Sequence, residues 1–192
     1  MKRFLLYFAG LVLLLTQSSC GYNSMVSKDQ NVKNKWASVQ SAYQRRTDLF
    51  NNVVNTIKGS TKFEQTTLKE VVQARAAATS VTLSADQLTP ENLKKFQESQ
   101  SQISSGIGRL LAVQENYPEL KSTNAFRDFQ AQIEGTENRI NVARNDFNAA
   151  TNDYNGYIKS FPNNLFAGMF GFKEKPYFEA DPASQKAPDV QF

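Results

Sequence analysis

Apolar side chains along this chain recur at alternating steps of three and four residues, the spacing that lines one face of a helix. A first helix carries Val32, Trp36, Val39, Tyr43, Arg46, Phe50, Val53 and Ile57, and Gly59-Ser60 ends it. A second runs from about Thr61 to Val81, with Glu64, Leu68, Val71, Arg75 and Ala78 on one face. Ser84 to Thr89 reads as a polar loop, and Pro90 suits an opening helical turn capped by Thr89. The third carries Leu93, Phe96, Gln100, Ile103, Ile107, Leu110, Gln114 and Tyr117, and Pro118 stops it. In the fourth, Phe126, Ile133, Ile140, Phe147, Tyr154 and Phe161 recur every seven residues. Phe129, Thr136, Ala143, Ala150 and Tyr157 repeat beside them. Such a seam predicts one unbroken helix over 126–161, about 55 Å long.

Four amphipathic stripes joined by short turns can bury themselves against one another. The predicted fold is therefore all-α: an antiparallel up-down-up-down four-helix bundle with long helices over residues 28–161. An irregular aromatic tail and a loose C-terminus follow over 162–192. A free coiled-coil dimer is the rival, disfavoured because turn signals cut the chain into segments able to pack internally. Strand signals are sparse after residue 25, and no Gly-rich phosphate loop is present.

The N-terminus departs from this pattern. Lys2 and Arg3 precede the apolar run Phe4 to Leu15, too short for the about 20 residues that span a bilayer. A basic start, a short apolar core and the small residues Ser18-Ser19 before Cys20 describe an export signal. The ending resembles a bacterial lipoprotein precursor, which implies a signal peptide over 1–19, acylation of Cys20 and a tether over 20–27. Gln17 departs from that resemblance, since the position three before the cysteine is usually aliphatic. The other reading is an uncleaved anchor bearing an ordinary thiol. Membrane lipid, reached through acylated Cys20, is one expected partner. The expected place is the bacterial cell envelope, facing the extracytoplasmic side.

Of 192 residues none is histidine and one is cysteine. Imidazole chemistry, an internal disulfide and a thiolate cluster are excluded. The Glu-x-x-His pattern of bundle di-metal sites cannot be written in this chain. No catalytic residue, metal site or cofactor is expected, and the protein is read as a non-enzyme. The net charge of +4 owes half its value to Lys2 and Arg3. No basic stripe remains, so no nucleic-acid partner is expected.

Two arginines occupy positions where the stripes want hydrophobes, Arg46 and Arg75. Counting along the helices from the turns brings Glu137 to their level, with Gly106 and Gly108 leaving room. One expectation is a buried Arg46–Arg75–Glu137 layer that fixes register; the other is that all three side chains snorkel to water. Asn141, Asn148 and Asn155 form a heptad-spaced polar column, read as a solvated or inter-helix hydrogen-bonding face.

The topology assigns the two ends. The 59–61 and 118–122 turns share a distal tip, where Lys58, Lys62, Glu115, Glu119 and Lys121 offer a surface to a partner or simply meet water. The 83–89 loop and the tail share the end next to the anchor. There Leu165, Phe166, Met169, Phe170 and Phe172 either plug the core or touch lipid, with Lys173 and Lys175 near the headgroups.

Short motifs in order carry a resemblance. They are Arg45-Arg46-Thr47-Asp48-Leu49 with Asn51-Asn52, Ile57-Lys58-Gly59, Ala74-Arg75-Ala76 and Glu115-Asn116-Tyr117-Pro118-Glu119-Leu120-Lys121. Thr136-Glu137-Asn138-Arg139-Ile140, Ala143-Arg144, Phe161-Pro162, Gly171-Phe172 and Tyr177-Phe178-Glu179 complete the series. Together they resemble the LemA family over nearly all of the chain after residue 22. The resemblance implies a four-helix extracytoplasmic bundle tethered at its N-terminus, with no established enzyme activity. The lipoprotein-like ending departs from the membrane-spanning N-terminus of many relatives. The expected role is a non-catalytic scaffold or adaptor for an envelope protein partner. The alternative is a membrane-active protein whose aromatic tail binds the bilayer interface.

Overall fold

The computed structural model describes the backbone of residues 2–58, 69, 72, 73, 76, 79–113 and 124–179. Side chains are described within 21–50, 79–109 and 126–179, and at 52, 69, 72, 73, 76, 111 and 112. All regular structure among these residues is helical. Helix α1 is Lys2–Lys58, α2 is Pro90–Val113, α3 is Asn124–Lys159 and α4 is the short Asn163–Ala167. A 3-10 turn, Ala85–Gln87, sits in the loop before α2. No described helix is long and apolar enough to cross a membrane.

The stripes form the helices because they have a common core to enter. Val32, Trp36, Val39, Tyr43 and Phe50 of α1 are buried, as are Leu93, Phe96, Ile103 and Ile107 of α2. From α3 come Phe126, Phe129, Ile133, Ile140, Phe147, Ala150, Tyr154 and Ile158. At the start of α2, the Thr89 hydroxyl oxygen accepts the Asn92 N–H at 3.2 Å, the N-cap expected before Pro90.

Ion pairs fix the directions. Lys28 meets Asp153 at 2.6 Å, Lys35 meets Asp146 at 2.7 Å and Arg46 meets Glu137 at 3.2 Å, so α1 and α3 run antiparallel. Trp36 packs on Phe96, and Arg46 reaches Gln100 and Ser104 further along α2. Helices α1 and α2 therefore run parallel. Most of the predicted second helix lies outside the described residues.

Two boundaries differ from expectation. The helix extends N-terminal to residue 28, through the 20–27 stretch read as a tether. Met25 within that stretch is 1% exposed in the core. At the other end α3 stops at Lys159, three residues before the proline at 162. Phe161 therefore falls off the heptad seam and stands 81% exposed.

Candidate functional site

Three features of the folded chain offer chemistry or contact. The first is a charge in the core. Arg46 is 2% exposed, and its Nη2 donates to the Gln100 carbonyl at 2.9 Å and to Gln100 Oε1 at 2.7 Å. Its Nη1 donates to Ser104 Oγ at 3.0 Å and pairs with Glu137 Oε1 at 3.2 Å. Nε is buried without a partner, while the Tyr43 ring lies 4.9 Å from the guanidinium. Burial raises the Tyr43 pKa, opposed by the charges of Arg144 and Arg46. The cation is thus held chiefly by neutral oxygens of α2. Glu137 reaches it from the rim, with its own side chain 39% exposed. An open groove of about 1030 Å³ lies over this layer, lined by Tyr43, Arg46, Gln97, Glu137, Asn141 and Arg144 among others.

The second feature is a strap made by residues 173–179, which lie along α3 in extended form. Asn155 holds Lys175 at two points: Nδ2 donates to the Lys175 carbonyl at 2.8 Å, and Oδ1 accepts the Lys175 N–H at 3.0 Å. Asn148 treats Phe178 the same way, at 3.0 and 2.8 Å. The Tyr154 hydroxyl donates to the Lys173 carbonyl at 2.9 Å. Its pKa is pushed up to about 12, first by burial and then by the nearby Asp29 carboxylate, against that hydrogen bond. Lys175 forms a largely buried pair with Asp29 at 2.7 Å. Phe178 enters the core, stacked on Trp36 and edge-on to Phe147. Arg144 closes the strap: it donates to the Glu179 carbonyl at 3.0 Å and lies over the Phe178 ring.

The third feature is a collar at the end of the molecule where α1 emerges. A Cβ added at Gly21 would lie 3.2 Å from Asn163 Oδ1, so α1 and α4 approach closely there. Tyr22 packs edge-on to Phe170 and Phe172, with ring centroids 5.0 and 5.9 Å away. Gly171, at φ +77°, makes the left-handed turn that sends the chain from the collar into the strap.

These placements sort the sequence-predicted residues. Arg46 and Glu137 are brought together; Arg75 lies outside the described residues. Gln100 and Ser104, rather than Gly106 and Gly108, line that layer. Lys62, Glu115, Glu119 and Lys121 lie outside the described residues, and so do the side chains of Cys20 and Lys58. Phe166 and Phe172 pack against the core, whereas Leu165, Met169 and Phe170 are exposed. The tail therefore both plugs and presents an outer face. Lys175 pairs with Asp29. Sequence reasoning missed the strap. Its available signal was the column of Asn148 and Asn155, whose spacing of about 10.5 Å along a helix matches three extended residues, about 10 Å.

Among the described residues no three His, Cys, Asp or Glu side chains gather in a group able to hold a metal. Comparison with known proteins gives a consistent picture. The model of the LemA family matches residues 35–192. The chain is 26% identical over 178 residues to Protein LemA of Metamycoplasma hominis, covering 92% of this chain and 78% of that one. It is also 26% identical over 179 residues to Magnetosome protein MamQ 2 of Paramagnetospirillum magneticum, covering 84% of this chain. That match spans only 66% of the magnetosome protein's own length, just under two thirds. The MamQ protein of Magnetospirillum gryphiswaldense is 26% identical over 191 residues, with 90% of this chain and 70% of that one covered.

Proposed function

The chain belongs to the LemA family, and from that premise we infer that it is a lipid-tethered extracytoplasmic scaffold of the bacterial envelope, non-catalytic, presenting a rigid helical rod to a protein partner. The observation that carries this reading is the continuity of α1. It runs as one helix from Lys2 through Cys20 into the packed core at Met25. A chain fastened to lipid at Cys20, or by the apolar run before it, holds the whole rod with no flexible joint between.

The rod is read as an up-down-up-down four-helix bundle. The directions of α1, α2 and α3 support this, since two parallel helices in sequence need a return between them. So does distance. The chain must come back from the level of Lys58 to that of Trp36, whose indole donates to the Leu83 carbonyl at 2.8 Å. That is about 30 Å, the length of roughly 20 helical residues, which the segment between supplies. The distal tip, with Lys58, Lys62, Glu115, Glu119 and Lys121, is the proposed partner surface. The relatives called magnetosome proteins are named for a structure rather than a reaction, which agrees with a structural role.

Labelling cells with a radioactive palmitate precursor tests the anchor. Wild-type protein is expected to carry label in the membrane fraction, and Cys20→Ser to carry none. Equal labelling of the two, or an unlabelled wild type, overturns the lipoprotein assignment. Photo-crosslinkers at positions 58 and 121 are expected to capture one recurrent envelope protein, and no capture at either site refutes the tip as the contact.

A further inference from the structure

We propose that Phe161, Leu165, Met169 and Phe170, together with Tyr22, form a collar that inserts into the interfacial layer of a phospholipid bilayer and seats the bundle end on the membrane. Phe161 is 81% exposed, Met169 77%, Leu165 61%, Phe170 48% and Tyr22 41%. Four of these five fall within residues 161–170 and Tyr22 touches Phe170, whereas the other large hydrophobics exposed among the described residues, Val72, Val142 and Tyr177, lie apart in the sequence. Isolated exposed apolar side chains are normal on soluble surfaces, whereas a contiguous patch marks an interaction site.

The patch is built rather than frayed. Phe166, Ala167 and Phe172 point into the core, which leaves the residues between them facing outward. The Phe170 N–H donates to the Phe166 carbonyl at 3.0 Å, and the Phe172 N–H to the Ala167 carbonyl at 2.9 Å. Its position selects the occupant. Gly21 and Tyr22, inside the collar, directly follow Cys20 and the apolar run Phe4 to Leu15 on the same helix. Acyl chains on Cys20 would start two residues before Tyr22, and the apolar run ends seven residues before it at Leu15, about 10 Å along the helix. The inference rests on the tethered reading given above.

Charge refines the type of surface. Lys28 is paired with Asp153, Lys159 with Glu174 at 2.8 Å, and Lys175 with Asp29. These three basic residues are neutralised by their own chain, which leaves Lys173, exposed beside Phe172, as the cation next to the collar. Binding then depends on apolar burial, and a zwitterionic bilayer is enough.

The test uses the full chain reconstituted into phosphatidylcholine vesicles, with or without bromine on the upper acyl carbons. The single tryptophan, Trp36, sits 15 residues beyond Gly21 on α1, about 22 Å away and out of reach of bromine quenching. Phe161→Trp and Met169→Trp change exposed positions and place a reporter in the collar. Val142→Trp places one on the exposed flank of α3. The expected result is at least twofold quenching at 161 and 169, none at 142, and no dependence on added phosphatidylglycerol. Co-flotation with vesicles but equal quenching at all three sites overturns the collar while leaving the tether standing. A blue-shifted but unquenched signal at 161 and 169 also overturns it, by showing that a second copy of the chain covers the patch. Failure to float at all removes tether and collar together.

Discussion

At the scale of single residues, the decisive question is which side of a charge pair is dry. Arg46 has a side chain 3% exposed and Glu137 one 39% exposed, so loss of the carboxylate leaves the buried partner behind. Removing one member of a fully buried pair costs about 3–5 kcal/mol. Here the guanidinium keeps both oxygens of Gln100 and the hydroxyl of Ser104. Glu137→Gln is therefore expected to cost only about 1–2 kcal/mol, the lower part of the about 1.5–3 kcal/mol of a hydrogen bond to a charged group or just below it, because this carboxylate is partly in water. Gln100→Leu is expected to cost at least as much, because it deletes the shortest contact in a position closed to water. Urea denaturation of both variants at neutral pH checks the order; an unaltered midpoint for Glu137→Gln would remove the carboxylate from the layer. Tyr154 makes a separate claim about pH. Its folded pKa of about 12 lies above the ordinary 10.0, so the folded state retains a proton that the unfolded chain gives up. Stability from this group is complete below pH 10 and is lost as pH rises through about 12. Tyr154→Phe forfeits the bond to Lys173, about 1 kcal/mol, but is spared this loss. The gap in melting temperature between wild type and variant is expected to narrow between pH 10 and 12, and a gap that stays constant or widens contradicts the shift.

At the scale of elements, the helices were legible in the sequence and the strap was not, for one physical reason. A helix that buries a stripe writes its period into the side chains, so Val32, Trp36, Val39 and Tyr43 announce α1, and Phe147 and Tyr154 announce α3. The strap is held by its backbone, which any sequence carries. Only Phe178 enters the core, and the recognition code sits on α3 as Asn148 and Asn155. Phe161 misled for the opposite reason: it keeps the seven-residue step, yet α3 ends at Lys159 before Pro162. The collar was half legible, since its composition was visible while the inward turn of Phe166 and Phe172 depended on packing. The strap's mechanism can be tested through donors. Asn155→Asp keeps an acceptor for the Lys175 N–H but replaces the amide donor with a carboxylate oxygen facing the Lys175 carbonyl. Loss of that bond plus the new repulsion is expected to speed hydrogen exchange at Lys175 and Phe178 at least tenfold, with helix content unchanged. Exchange at wild-type rates in Asn155→Asp would show that the Asn155 amide is not what holds the strap.

At the scale of the whole molecule, one indole joins elements far apart in the chain. Trp36 of α1 donates to the Leu83 carbonyl in the loop, packs edge-on to Phe96 of α2 and Phe147 of α3, and stacks on Phe178 of the strap. A slender rod of helices otherwise resembles a series of layers, each bonded mainly to its neighbours, and such structures open locally before they unfold globally. The Trp36 layer is where that independence ends, because loop, strap and three helices share a single packing unit. Trp36→Phe probes this without emptying the site. It shortens the ring and removes the Leu83 bond, while Gln40 still donates to the same carbonyl at 2.9 Å. The expected outcome in hydrogen-exchange mass spectrometry is a parallel loss of protection in 81–88, 143–154 and 174–179. The collar, pinned separately by Tyr22 on Phe170 and Phe172, should keep its protection. Loop and strap losing protection by unrelated factors would mean that they close independently. Parallel loss makes loop, strap and helices one cooperative unit closed around the indole. The aromatic cluster around Trp36 is then what couples the loop and the strap to the three helices, since each of them touches the same ring.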